Sequence, residues 1–132
     1  MTKLIYGALY LRSATVEPDN VQDWNEKRHQ LEKRAKQEGI QIFKVYEDWG
    51  VSGLSKPQDR PGMTAMLNDI NQGYFQVLYI TGIDRISRNL DDALTILRQL
   101  QDVGVRIRVG DQQGDVTLGS EMVNLHDQLK KS

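Results

Sequence analysis

The sequence predicts a layered α/β domain, with a central, mainly parallel sheet of about four or five strands and flanking helices. Three observations lead there. Short apolar runs alternate with longer segments of helical period. The first of these runs is nearly continuous, as a strand buried on both faces requires. Glycine, proline or asparagine marks most changes of period. A chain of 132 residues is long enough for one domain with a real core, so no disulfide or metal staple is required.

Leu4 to Tyr10 reads as the first strand. After a polar loop from Arg12, Pro18 to Glu38 carries Val21, Trp24, Leu31 and Ala35 at helical spacing, with Pro18 or Asp19 opening the helix and Gly39 closing it. Ile40 to Tyr46 reads as the second strand, and Asp48 to Gln58, with Gly50, Gly53 and Pro57, as a loop. Pro61 takes a first helical position, followed by a Met63, Met66, Leu67 and Ile70 stripe that ends at Gly73. Phe75 to Ile80 makes the third strand. Asn89 caps a helix whose first turn holds Asp91 and Asp92 and whose stripe (Leu90, Ala93, Leu94, Leu97, Leu100) runs to Gly104. Val105 to Val109 is the fourth strand, and Ser120 opens a last short helix with Met122, Leu125 and Leu129 on one side.

Composition narrows the chemistry. Without cysteine there is no disulfide framework, thiolate metal site or cysteine nucleophile, which suits a reducing compartment. His29 and His126 lack ligand spacing, so zinc is not expected. No apolar run is long enough to span a bilayer and the first residues lack a signal-peptide core, so the expected location is cytoplasmic, without membrane contact. A net charge of -1 argues against a globally basic nucleic-acid coat, so any DNA contact must be a local cluster. The phosphate cradles GxGxxG and GxxxxGK[ST] are absent.

In a parallel sheet function gathers at the carboxyl ends of the strands. Those ends project Arg12, Asp48 and the segment Asp84-Arg85-Ile86-Ser87-Arg88 to one edge, and Arg60, just before a helix, can join them. Arginine forks meet phosphate oxygens through paired hydrogen bonds and balance charge developing at phosphorus. The plainer reading makes each arginine a solvated surface charge paired with a carboxylate. Asp48 and Asp84 stand equally as structural caps or as groups that orient arginines. Glu47 beside Asp48 gives only weak support to a two-metal nuclease.

These residues resemble the catalytic domain of serine recombinases, the family of resolvases, invertases and phage-type integrases. Tyr10-Leu11-Arg12-Ser13-Ala14-Thr15 is similar to the family's Tyr-x-Arg-x-Ser motif, and Asp48-Trp49-Gly50-Val51-Ser52-Gly53 to its mobile loop. Asp59-Arg60-Pro61 matches its next arginine site, and Asp84-Arg85-Ile86-Ser87-Arg88 its Asp-Arg-x-x-Arg signature. Four short matches in order cover nearly the whole chain, and the spacing from Asp48 to Ser52 points to the large, mobile-element type.

The resemblance implies a resolvase-like fold in which Arg12, Arg60, Arg85 and Arg88 surround the scissile phosphate, supported by Asp48 and Asp84, with Tyr10 and Ser52 nearby. It implies a serine that attacks the phosphodiester to give a 5'-phosphoserine link and a free 3'-hydroxyl, without metal or ATP. It also implies DNA as partner, dimers and tetramers of the full-length protein, and a catalytic domain over residues 1–132 cut near the start of a long helix, the DNA-binding domain lying elsewhere.

The sequence departs from the pattern in two places. Ala14 occupies the nucleophile position, and a methyl group cannot attack phosphorus. Either serine was exchanged for alanine to trap an inactive form, or this is a natural variant in which Ser13 is recruited or the chemistry is lost. Neighbouring strand residues face opposite sides, so Ser13 would need an irregular backbone to take over as nucleophile. Gly82 and Ile83 stand where the family commonly carries a lysine. Two other classes remain open: a non-catalytic recombinase-like assembly or DNA-binding module, and a signalling domain in which Asp48 is a phosphoacceptor or metal ligand.

Overall fold

The computed structural model describes residues 5–13 and 18–110. Ala14 and the expected last helix from Ser120 lie outside the described residues. The elements run β1 (Tyr6–Ser13), α1 (Pro18–Gln37), β2 (Gln41–Trp49), a 3-10 turn (Pro57–Asp59), α2 (Pro61–Ile70), β3 (Val77–Ile80), α3 (Ile83–Ile86), α4 (Leu90–Asp102) and β4 (Arg106–Val109). All described strand pairings are parallel, in a four-stranded sheet of order β2-β1-β3-β4.

The near-continuous apolar reading of β1 reflects its central place, with helices on both sides. Ala8 and Tyr10 pack with residues of α2 and α4 (Met63, Met66, Ala93, Leu97), whereas Leu9 and Leu11 pack with Trp24, Leu31 and Ala35 of α1. This is the alternation expected of a strand, and it divides the core into two layers. Val21, expected on the inward stripe of α1, is exposed instead, and the buried stripe of that helix starts at Trp24.

Helices α1 and α4 end where the sequence says, and in the same way. Gly39 and Gly104 take positive φ (73° and 82°), while Ile40 N–H reaches the Ala35 carbonyl and Val105 N–H the Leu100 carbonyl, both at 2.9 Å. The following apolar residues, Ile40 and Val105, are buried, which seats each cap on the core. Asn89 caps α4 as expected, its Oδ1 accepting from Asp92 N–H at 3.0 Å.

Some boundaries differ from expectation. β2 continues through Glu47, Asp48 and Trp49, which the sequence assigns partly to a loop, because those residues pair with Leu11, Arg12 and Ser13. Trp49 also stacks on Trp24 of α1 at 4.1 Å between ring centroids. β1 likewise runs on to Ser13, and α3 is a single turn with no clear sequence signal. Phe43 is the extra residue where the β1 and β2 register shifts, a bulge on an edge strand.

The order places β1 between β2 and β3, so the chain leaves the carboxyl ends of β1 and β3 in opposite directions. The crevice at such a switch point is where open α/β sheets hold their ligands.

Candidate active site

At that crevice Arg12 is the penultimate residue of β1, and α3 with its continuation to Arg88 follows β3. Arg12 is only 4% exposed and Arg60 is fully buried. Both guanidinium groups are spent on backbone carbonyls. Arg12 Nε donates to the Arg85 carbonyl (3.1 Å), Nη2 to that of Asp84 (2.9 Å) and Nη1 to that of Val51 (2.9 Å). Arg60 Nη1 donates to Ile86, and Nη2 to Gly53 (3.3 Å) and Ser55 (2.8 Å). Each arginine therefore ties the Val51–Ser55 loop to the segment after β3.

Gly53 lies at the centre of this arrangement. Its carbonyl also accepts from Arg88 N–H (2.9 Å) and from Ser87 Oγ (3.3 Å). A Cβ at this position would lie 2.8 Å from both Arg12 Nη2 and Arg88 Cγ. The glycine is thus required by close packing against arginines, and unlike Gly50 (φ 65°) it does not need a left-handed backbone. Arg85 is half-buried and Arg88 exposed, at the same loop.

No carboxylate among the described residues lies within ion-pair distance of Arg12, Arg60, Arg85 or Arg88. Arg12 and Arg60, being buried, are therefore not solvated surface charges. Burial and, next, the positive charge of Arg85 lower the Arg12 pKa, while Asp84 acts weakly in the other direction. Arg60 Nε is buried without a hydrogen-bond partner. Buried cations are costly to hold, and with no carboxylate partner among the described residues Arg12 and Arg60 are held by backbone carbonyls alone.

Of the two roles the sequence left open for Asp48, the structure shows the structural cap. It is 2% exposed, and its Oδ1 accepts from Gly62 N–H (2.7 Å) while Oδ2 accepts from Met63 N–H (3.0 Å) and Tyr10 Oη (2.7 Å). It caps α2 from a neighbouring strand, because Arg60, at the N-cap position, makes no side-chain cap bond. Burial, then the bond to Asp48, raises the Tyr10 pKa. Both Asp48 oxygens are thus engaged in hydrogen bonds inside the fold, and among the described residues no group of three His, Asp or Glu side chains could hold a metal. Ser52 Oγ accepts from Leu54 N–H (3.1 Å), a local turn bond.

Ser13 ends β1, and its carbonyl accepts from Val51 N–H at 3.0 Å. By alternation it shares the α1 side of β1 with Leu9 and Leu11, opposite Arg12. Sequence reasoning missed Ser87, fully buried between Gly53 and Asn89 N–H (3.0 Å), although it lies inside the Asp-Arg signature. It missed the carbonyl partners of the arginines as well, which carry no sequence signal.

The family model of the resolvase N-terminal domain matches residues 7–131. The chain belongs to that family. The Tn501 resolvase of Pseudomonas aeruginosa and the Tn1721 resolvase of Escherichia coli are each 33% identical to this resolvase-family chain over 70 residues, 53% of it and 35% of the relative. The match thus spans about a third of the length of those curated relatives. The N-terminal catalytic domain of TP901-1 integrase superposes with a TM-score of 0.77 at 24% identity, covering 96% of this chain and 92% of that one. A resolvase family site-specific recombinase from Streptococcus pneumoniae gives 0.74 at 22% identity, covering 96% and 86%. At such identities the likeness is one of fold, and it bears out the resolvase-like parallel sheet.

Proposed function

We propose that this resolvase-family domain is the catalytic part of a site-specific DNA recombinase, with the scissile phosphate received among Arg12, Arg60, Arg85 and Arg88. The observation that carries the reading is the cluster of cationic side chains, two of them buried without a carboxylate partner, at the switch point of the sheet. A phosphodiester supplies the missing negative charge and accepts paired guanidinium hydrogen bonds. Arg85 and Arg88, less buried, make the first contacts; Arg12 and Arg60 lie deeper. Asp84 supports Arg12 electrostatically, and Asp48 supports the site by fixing α2 and hence Arg60.

In the proposed reaction a serine hydroxyl gives up its proton and attacks phosphorus, the bond to the 3'-oxygen breaks as that oxygen takes up a proton, and a 5'-phosphoserine forms beside a free 3'-hydroxyl. The freed 3'-hydroxyl of a partner strand later reverses the step. Dimers and tetramers of the whole protein and a cytoplasmic setting belong to the same proposal. No described helix is long and apolar enough to cross a membrane.

Ala14 favours a second reading for the chain as written, a recombinase-like module that binds without cutting. The deciding experiment is Ala14→Ser in the whole recombinase polypeptide, incubated with recombination-site DNA. A covalent protein–DNA adduct is expected with serine and none with alanine. No adduct in either would count against the catalytic reading, and an adduct through Ser13 in the unaltered chain would overturn the non-cutting one.

A further inference from the structure

We propose that the Val51–Ser55 loop is a self-inhibitory plug, its backbone carbonyls holding guanidinium donors that a DNA phosphate must take over by competition. This rests on the phosphate reading of the arginines and adds a regulatory step to it. Alternate residues of the loop supply the acceptors: Val51 to Arg12, and Gly53 and Ser55 to Arg60. The opposite side of the cleft supplies Asp84, Arg85 and Ile86.

The two sides are not equally anchored. Ile83 and Ile86 fix the segment after β3 in the core. The loop buries only Gly53, exposes Ser52 and leaves Leu54 68% exposed. When a stronger acceptor arrives, the loop is the side that yields. A phosphodiester oxygen is such an acceptor, because it adds a full negative charge facing the guanidinium in a buried site and accepts paired hydrogen bonds from the fork, where a carbonyl offers only a dipole. The carbonyls meanwhile keep buried cations hydrogen-bonded while no anion is present. Release of the plug also breaks the bond from Val51 N–H to the Ser13 carbonyl, so loop position is transmitted to the residue preceding position 14.

Ser87 gives a way to loosen the plug without altering an arginine, since its hydroxyl holds the Gly53 carbonyl. Amide hydrogen exchange at Val51 and Arg88, which donate to Ser13 and Gly53, reports plug closure directly. A short DNA duplex of arbitrary sequence at low salt should accelerate exchange at both amides in the unaltered chain. Ser87→Ala should bind that duplex about fivefold more tightly, the effect of removing one neutral hydrogen bond from the closed form. Duplex binding with unchanged or increased protection at both amides would overturn the plug and leave the phosphate reading intact, whatever the stability of the Ser87 variant. Binding that is indifferent to Arg85→Ala and Arg88→Ala, or no binding by either form, would overturn both.

Discussion

Asp48 binds three donors with two carboxylate oxygens in near-complete burial, so its loss leaves two backbone N–H groups and a tyrosine hydroxyl unpaired. Asp48→Ala should cost about 3 kcal/mol in urea denaturation, and Tyr10→Phe about 1 kcal/mol. A loss below 1 kcal/mol for the aspartate would show that α2 does not depend on this cap. The buried phenols give a pH signature. Tyr10, Tyr46 and Tyr79 donate to Asp48, Asp69 and Glu38, and burial first, then these bonds, raises each pKa above the ordinary 10.0. Because the folded-state values stand above the unfolded one, their contribution to stability is complete below about pH 10 and is lost as the pH climbs further. In an alkaline absorbance titration, three of the five tyrosines should ionise late and together with the loss of circular dichroism.

At the scale of elements, the approach of α2 to β2 decides whether Arg60 is presented correctly. A Cβ on Gly62 would lie 2.6 Å from the Glu47 carbonyl oxygen, a backbone atom with little freedom to give. Gly62→Ala should therefore destabilise the domain by about 1–3 kcal/mol and weaken duplex binding as Arg60 shifts. Thermal melting alongside a binding titration checks both effects, and an unchanged melting temperature would show that α2 can slide freely. Asn89→Ala, which removes only the cap of α4, should cost about 1 kcal/mol in the same assay.

For the molecule as a whole, a net charge of -1 means that the DNA binding proposed for this domain would have to come from a local cluster of cations. Affinity should accordingly be weak and should depend on salt with a shallow slope, because few phosphates are neutralised. Arg88→Ala, at an exposed position of that cluster, should weaken binding equally for all sequences and lower the slope of log affinity against log salt by about 1. A slope unaffected by the substitution would place the DNA contact on another face.

Local order determined much of what was legible in this sequence. Gly39, Gly104 and Asn89 mark helix ends through bonds between residues a few positions apart, and the alternation of apolar runs with helical stripes is enough to fix the layered class. The motif residues, too, named the arginines of the site and the loop beside them. Tertiary structure alone decided how those arginines are used. Arg12 donates to carbonyls 39 and 73 positions away, and carbonyls are the same at every residue, so no pattern in the side chains announces them. The extension of β2 to Trp49 and the commitment of Asp48 to α2 have the same origin: each depends on which distant backbone the fold brings alongside, a property of packing that short-range periodicity does not encode.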